Sequence, residues 1–515
     1  MSYAQLHRRA QSVSGALQAL GVGRGDRVGL LTTNRIEWLE SCFGTSALGA
    51  TVHAFNSWVT GRELDHMLAE SECPVLIILA KHRKKDYLAD LRQLVPEVWD
   101  ADAGEWFSAR YPGLRSVVVV GGPAPRGAIE YEAWLAEAES VMDPAADRSG
   151  SPCVLTKAAD SAVVLYTSGS TAQPKAVPLL HYGMVENGFH IGERMGLTQE
   201  DRVWLGSPLF WSFGCANSLM ATFSHGATLV LQEQFDAVGA VELIEQERCT
   251  VAYLLPTLTR AIRGLEGLDV HRLASLRTGV TIGTPDDVRI AAEELGVTEI
   301  CNVYGSTETY GNCCVTPHDM DLKDRLTSQG PPLPGVEIRV VDPDTGAPLG
   351  TGEVGELEVR GYLTPGYLGP AGRIKNVLNE DGYYRSGDLA SLDEHGWLHY
   401  ATRGTDMIKT AGINVAPAEV EEFLLTLEGV AQVAVVGAPD PKRGEIVVAY
   451  VVPQPGRQME PEDIVERCRG QIASYKVPAR VLVVPELPKT GTGKLHRARL
   501  REDASHTADA PGVTT

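Results

Sequence analysis

The stretch 166-YTSGSTAQPKAV-177 follows a short apolar run, 161-SAVVL-165, and enters a loop of Ser, Thr and Gly that ends at Lys175. The ordinary reading is a surface loop whose hydroxyls bond their own backbone. The sharper reading is a phosphate cradle, in which backbone N–H groups and hydroxyls wrap phosphoryl oxygens and Lys175 adds a point charge. The stretch is not the P-loop pattern G-x-x-x-x-G-K-[ST]. Gly169 stands six residues before Lys175, Pro174 precedes the lysine and Ala176 follows it. The rest of the chain has to decide between the two.

Outward from this loop, apolar runs and helical patterns alternate. The runs 26-DRVGLLTT-33, 74-PVLIILA-80, 115-RSVVVVGG-122, 227-ATLVLQE-233 and 251-VAYLLP-256 predict strands. Between many of them lie helical patterns, at 36–50, 237–247 and 285–296. The alternation predicts an α/β fold with mostly parallel, layered sheets. After about Gly330 the pattern turns to short alternating runs with frequent turn signals, as in 336-VEIRVVDPDTGAPLGTGEVGELEVRG-361, which predicts antiparallel structure. A third regime from about Arg403 combines helix signals at 417–427 and 461–473 with strands at 430–438 and 445–453. It reads as a small α+β unit, followed by a polar tail at 505–515.

At 515 residues the chain needs more than one core, and its 43% apolar and 22% charged content is that of a globular enzyme. A net charge of −20 argues against nucleic acid or an anionic membrane as the main partner. No apolar run approaches the ~20 residues of a membrane span, and the first residues lack the apolar core of a secretory signal. Nine cysteines at irregular spacing, without a C-x-x-C pair, predict reduced thiols and a cytoplasmic location rather than zinc.

Polar clusters recur at the ends of the apolar runs: 302-NVYGSTE-308, 384-YRSGDL-389, 403-RGTDMIKTAGINVAPAEVE-421 and 488-PKTGTGKLHR-497. With 166-YTSGSTAQPKAV-177 they resemble, in order and spacing, the core motifs of the adenylate-forming superfamily, which includes acyl-CoA synthetases, luciferases and peptide-synthetase adenylation domains. The resemblance runs from about Tyr3 to Arg501. It implies a large N-terminal domain over 1–402, of two layered α/β subdomains plus a distorted β-barrel-like subdomain at about 330–402. It further implies a hinge at 403–406 and a small mobile α+β domain over 407–504. The implied chemistry joins a carboxylic acid to AMP with loss of pyrophosphate. Two anions must meet, so cations and donors around the developing charge do the work.

By this resemblance Thr167, Ser168, Gly169, Ser170, Thr171 and Lys175 hold the ATP phosphates, although Ala172 and Ala176 stand where the family usually has glycine. Tyr304 stacks on adenine, with Gly283, Asn302 and Gly305 also at the AMP. Thr307 bonds the α-phosphate and Glu308 holds Mg²⁺. Asp388 and Arg403 take the ribose. Lys494 bridges the acid and the α-phosphate. Thr405 marks the hinge about which the small domain rotates between half-reactions, bringing Gly412 to the acceptor tunnel. The acyl pocket falls to Phe189, His190, Trp211, Phe213 and Ile282, with Trp211 where many relatives carry histidine. The stretch 210-FWSFGCAN-217 has no acid to hold an α-ammonium, which argues against an amino acid. A bulky aromatic wall favours an aromatic or short to medium acyl acid.

The expected substrates are therefore ATP with Mg²⁺, a carboxylic acid, and the thiol of CoA, and a homodimer is compatible with the family. The same adenylate could instead pass to an amine, a carrier-protein thiol or a small inorganic nucleophile such as nitrite. A catalytically silent binder is disfavoured, because Lys494, Glu308, Asp388 and Arg403 are present together.

Overall fold

The computed structural model describes residues 1–141, 156–167, 175–343, 345–369, 373–403, 407–415, 417–488, 495 and 497–506. Two α/β layers form the large N-terminal part. A nine-stranded sheet runs in the order Ile374–Lys375, Tyr367–Leu368, Lys175–Leu180, Ser161–Thr167, Thr51–Ala54, Arg27–Leu31, Val75–Leu79, Ser116–Val120, Ile129–Glu130. From Ser161–Thr167 onward the pairings are parallel. The five residues Val75–Leu79 are all buried, as expected of a parallel strand covered on both faces. A six-stranded sheet orders Thr228–Leu231, Arg202–Leu205, Val251–Leu254, Thr278–Thr281, Glu299–Tyr304 and Cys314–Val315, with only the last pairing antiparallel. One core joins the two sheets, running from Val28 and Leu76 to Val203, Tyr253 and Val303.

Helix His181–Met195 packs between the layers with an unusually bare face. A Cβ on Gly183 would lie 2.4 Å from the Tyr310 ring, and one on Gly188 would lie 2.3 Å from Met220 Cβ. These glycines permit an approach that any side chain would block. The antiparallel regime, expected to be barrel-like, takes the form of a four-stranded sheet in the order Glu337–Val341, Gly355–Arg360, Tyr384–Leu392, Leu398–Arg403.

The small C-terminal domain carries a five-stranded sheet in which Val430–Asp440 and Gly444–Pro453 form a long hairpin, with Val430–Asp440 at its edge. Period-two alternation gives this hairpin two cores. Val435, Ala449 and Val451 face Val420, Leu424 and Ile464. Ala434, Val436, Val448 and Tyr450 face Leu500 and Ala504. The last helix, Arg497–His506, extends two residues into the stretch read as a tail. All eight cysteines among the described residues are free and buried. No helix among those residues is long and apolar enough to cross a membrane.

Candidate active site

The C-terminal ends of the strands gather around one cleft, the usual place for a ligand in an open α/β sheet. Its cavity of 390 Å³ is lined from the large domain by Thr167, Trp211, Phe213, Ile282, Gly305, Thr307 and Asn312, and from the small domain by Gly412, Asn414 and Glu419. Thr167 ends its strand directly opposite Lys175, which opens the returning one. The loop between them, with Ser168, Gly169, Ser170 and Thr171, lies outside the described residues, as do Thr405 and Lys494. Arg403 is described only in its backbone, paired with Asp388 across Tyr384–Leu392 and Leu398–Arg403.

Of the candidate nucleotide residues Gly305 lines the cavity, whereas Asn302, Tyr304 and Asp388 do not. The Tyr304 hydroxyl donates to Asp388 Oδ2 at 2.7 Å. Burial first, then the charge of Asp388, pushes this phenol well above its ordinary pKa, so it stays a donor. The Tyr304 ring also stacks on Tyr400 at 5.9 Å. Asn302 is fully buried and donates its amide to Arg325 O and Ser328 O, each at 3.0 Å, while its Oδ1 finds no partner among the described residues. Gly305 has to be glycine, because a Cβ there would lie 2.2 Å from Gly311 O. Gly283 does not line the cavity; it precedes the capped helix Pro285–Arg289, and a Cβ on it would meet Asp287.

Glu308 is nearly buried, and its Oε1 accepts the Tyr367 hydroxyl at 2.8 Å. The ring of that same Tyr367 lies 4.6 Å from the Lys175 ammonium, a cation–π distance. Sequence reading passed over Tyr367, since a tyrosine on the two-residue strand Tyr367–Leu368 carries no motif. Thr307 Oγ1 lies 3.3 Å from Ser212 Oγ. Among the described residues no three His, Cys, Asp or Glu side chains group as a metal site. A Mg²⁺ ion held by one carboxylate and the oxygens of a bound phosphate fits Glu308, because such an ion needs no protein cage.

On the acid side, Trp211, Phe213 and Ile282 reach the cavity as expected, but Phe189 and His190 do not. Phe189 is exposed and stacks on His225 at 5.1 Å, and His190 lies against Tyr362 at 6.4 Å. The inward face of their helix belongs to Gly183, Met184, Asn187, Gly188 and Ile191, and helical periodicity turns 189 and 190 away from it. Trp211 meets Trp58 edge to face at 5.1 Å, and Trp58 meets Tyr475 of the small domain at 6.1 Å. Trp211 also lines a second cavity, of 810 Å³, with Thr257, Ala411 and Tyr475.

The small domain meets the large one mainly along helix Gly61–Ser71 and its cap. Lys476 Nζ donates to Glu63 Oε1 at 2.8 Å and lies 3.4 Å from Glu419 Oε2. Burial pushes the Glu419 carboxyl up to about 7 although Lys476 opposes it. The nearer Glu63 adds a smaller push in the same direction by repelling Glu419 across the shared ammonium. Burial alone would lower the Lys476 ammonium, yet Tyr475, Glu419 and Glu63 raise it. Thr257 Oγ1 donates to Ala411 O at 3.1 Å, and Arg62 stands over the Phe423 ring. Ala411 and Gly412, at φ 53° and 79°, form the tight turn between Ile408–Thr410 and Ile413–Val415, and this turn carries Gly412 into the cleft.

Comparison with known proteins places the chain in a family. Residues 1–368 match the family described as AMP-binding enzyme, and residues 419–494 match the AMP-binding enzyme C-terminal domain. YngI of Bacillus subtilis (strain 168), provisionally named an acyl-CoA synthetase, is 33% identical over 97% of this chain and 91% of its own. The mitochondrial medium-chain acyl-CoA ligase ACSF2 of Bos taurus is 29% identical over 98% of this chain and 83% of its own. The amide bond synthetase McbA of Marinactinospora thermotolerans superposes with a TM-score of 0.82 at 27% identity, covering 98% of this chain and 95% of that one. The chain belongs to the AMP-binding enzyme family.

Proposed function

We propose that the protein uses ATP to convert a carboxylic acid to its acyl-adenylate, releasing pyrophosphate, and then passes the acyl group to the thiol of CoA. The observation that carries this reading is the meeting at one cleft of Thr167, Gly305 and Thr307 with Gly412 of the small domain, beside which the bonded pairs Tyr304–Asp388 and Tyr367–Glu308 adjoin the same motif in the chain. In this reading Lys175 and the loop before it receive the β- and γ-phosphates, and Thr307 donates to the α-phosphate. Asp388 accepts a ribose hydroxyl beside Tyr304, and the unpartnered Asn302 Oδ1 accepts the adenine amino group. Mg²⁺ at Glu308 would offset negative charge on the phosphates. Lys494 enters the cleft for adenylation, when the small domain turns about 403–406.

The described arrangement, with Gly412 lining the cleft, suits the second half-reaction, and the cavity beyond Trp211 offers the acceptor a way in. Trp211 and Phe213 narrow the acid side and favour an aromatic or short to medium acyl acid. A second reading keeps the adenylate and delivers it to an amine, a carrier-protein thiol or an inorganic nucleophile; the likeness to an amide bond synthetase favours keeping it.

A pyrophosphate-release screen over carboxylic acids, with products identified by mass after adding CoA or amines, tests both. A thioester as the main product supports the first reading and an amide the second. No acid-dependent pyrophosphate release from any acid would overturn both.

A further inference from the structure

The proposed function gives Lys175 to the phosphates and Glu308 to their metal ion, and both residues lean on one side chain. The Tyr367 hydroxyl donates to Glu308 Oε1 at 2.8 Å, and the Lys175 ammonium stands 4.6 Å from the centre of the Tyr367 ring. Neither Lys175 nor Glu308 makes an ion pair among the described residues. An ammonium and a nearly buried carboxylate at one aromatic ring attract each other, and pairing would offset both charges before any ligand arrived.

The segment that carries Tyr367 is tied to the elements of both charges. Thr364 is buried; its N–H donates to Glu308 O at 2.8 Å, and its hydroxyl donates at 2.7 Å to Pro178 O, on the strand that Lys175 opens. Leu368 pairs with Ala176, the neighbour of Lys175. Between these ties Gly366, at φ 140°, comes so near Lys375 O that a Cβ on it would lie 2.3 Å away. The backbone there admits no side chain. Burial first, then the charge of Glu308, raises the pKa of the Tyr367 phenol, so it stays a donor.

A tyrosine suits this place because it satisfies each charge without cancelling it. Its ring face attracts the ammonium, and its hydroxyl donates to the carboxylate while remaining neutral. We propose that Tyr367 is a positioning residue, which keeps Lys175 and Glu308 from pairing with each other and so leaves the cation for phosphate oxygens and the anion for the metal ion. This deepens the acid-activating reading and rests on it.

The test is ATP affinity, measured by calorimetry with a chelator present, where Glu308 has no metal ion to hold. Tyr367→Leu, which removes ring and hydroxyl together, should weaken ATP binding about tenfold, the size of losing a charge-assisted hydrogen bond from Lys175. In the Glu308→Gln background the same substitution should cost little, because no anion is left to capture Lys175. An equal loss in both backgrounds overturns the proposal, since it marks a residue that only shapes the fold. Unchanged affinity in Tyr367→Leu overturns it as well. Should Tyr367→Leu fail to fold, Tyr367→Phe carries the same comparison. It keeps the ring and frees Glu308, so it should weaken ATP binding about threefold with Glu308 present and not in the Glu308→Gln background; equal behaviour in the two backgrounds again overturns the proposal. A wild-type protein that binds no ATP, with or without Mg²⁺, overturns the acid-activating reading itself.

Discussion

On the nucleotide side of the cleft, tyrosine hydroxyls and carboxylates pair within one domain. Tyr304 donates to Asp388, and Tyr367 donates to Glu308. Across the seam with the small domain a lysine does the pairing, and its partners belong to both domains: Glu63 from one, Glu419 from the other. Neutral donors on carboxylates hold a site in shape without neutralising it, so the negative charge remains for metal and ribose. A charged bridge at a part-buried seam behaves differently: it is directional and water can replace it, so its net value is small. The contrast suits a wall that keeps one geometry and, on the mechanism proposed above, a seam that opens in each turnover.

Substitutions can break this contrast. The largest effect is expected at Lys494→Ala, which removes the cation between two anions: acid-dependent pyrophosphate release should fall by ~10³-fold, in the range of losing a transition-state donor, while ATP binding measured by calorimetry stays close to wild type. Unchanged release would remove the assigned role. Next comes the nucleotide wall. Asp388→Ala should raise KM for ATP by about 10- to 100-fold, equivalent to losing a charge-assisted hydrogen bond, with no change in which acids are accepted.

A smaller and differently placed effect is expected at Glu63→Gln. Glutamine keeps the helix cap, because Glu63 also accepts Thr60 N through Oε2, but it weakens the bridge to Lys476 by about 1–2 kcal/mol at this partly exposed site. Transfer to the acceptor should slow about tenfold while the adenylation burst is spared. If both steps slow together, the seam is part of the wall.

The smallest effect is a pH dependence. Glu419, whose pKa stands at about 7 when docked against the usual 4.5, takes up a proton on docking. Docking is therefore strengthened as pH falls from about 7 towards 4.5, weakens as pH rises through that window, and levels off above about 7. Lys476, shifted upward, stays charged throughout. Interdomain distance measured by fluorescence transfer should shift a few-fold in population between pH 6 and 8, and Glu419→Gln should flatten the profile.

Much of this was legible beforehand. Continuous β-branched runs such as 74–80 and 115–122 settled on strands Val75–Leu79 and Ser116–Val120 because parallel strands are apolar on both faces. The motif at 302–308 fell at a strand end because its glycine has to meet the backbone of 311. What escaped was relational. Phe189 and His190 are assigned to the pocket by resemblance to the family, whereas the inward face of their helix carries glycines instead. The bridge between Glu63 and Lys476 joins residues 413 positions apart, and nothing local in either sequence announces the other. The bonds from Asn187 and Asn217 to Tyr310 O likewise form only once three elements meet.

Tyr367 has a consequence for anyone redesigning the enzyme. Its hydroxyl holds Glu308 and its ring carries Lys175, so the acid and the cation proposed to face the phosphates share one bracket. Moving either would drag the other, which makes the phosphate end a poor place for innovation. New acids are better sought at the far end, around Trp211 and Phe213, where remodelling leaves that bracket untouched.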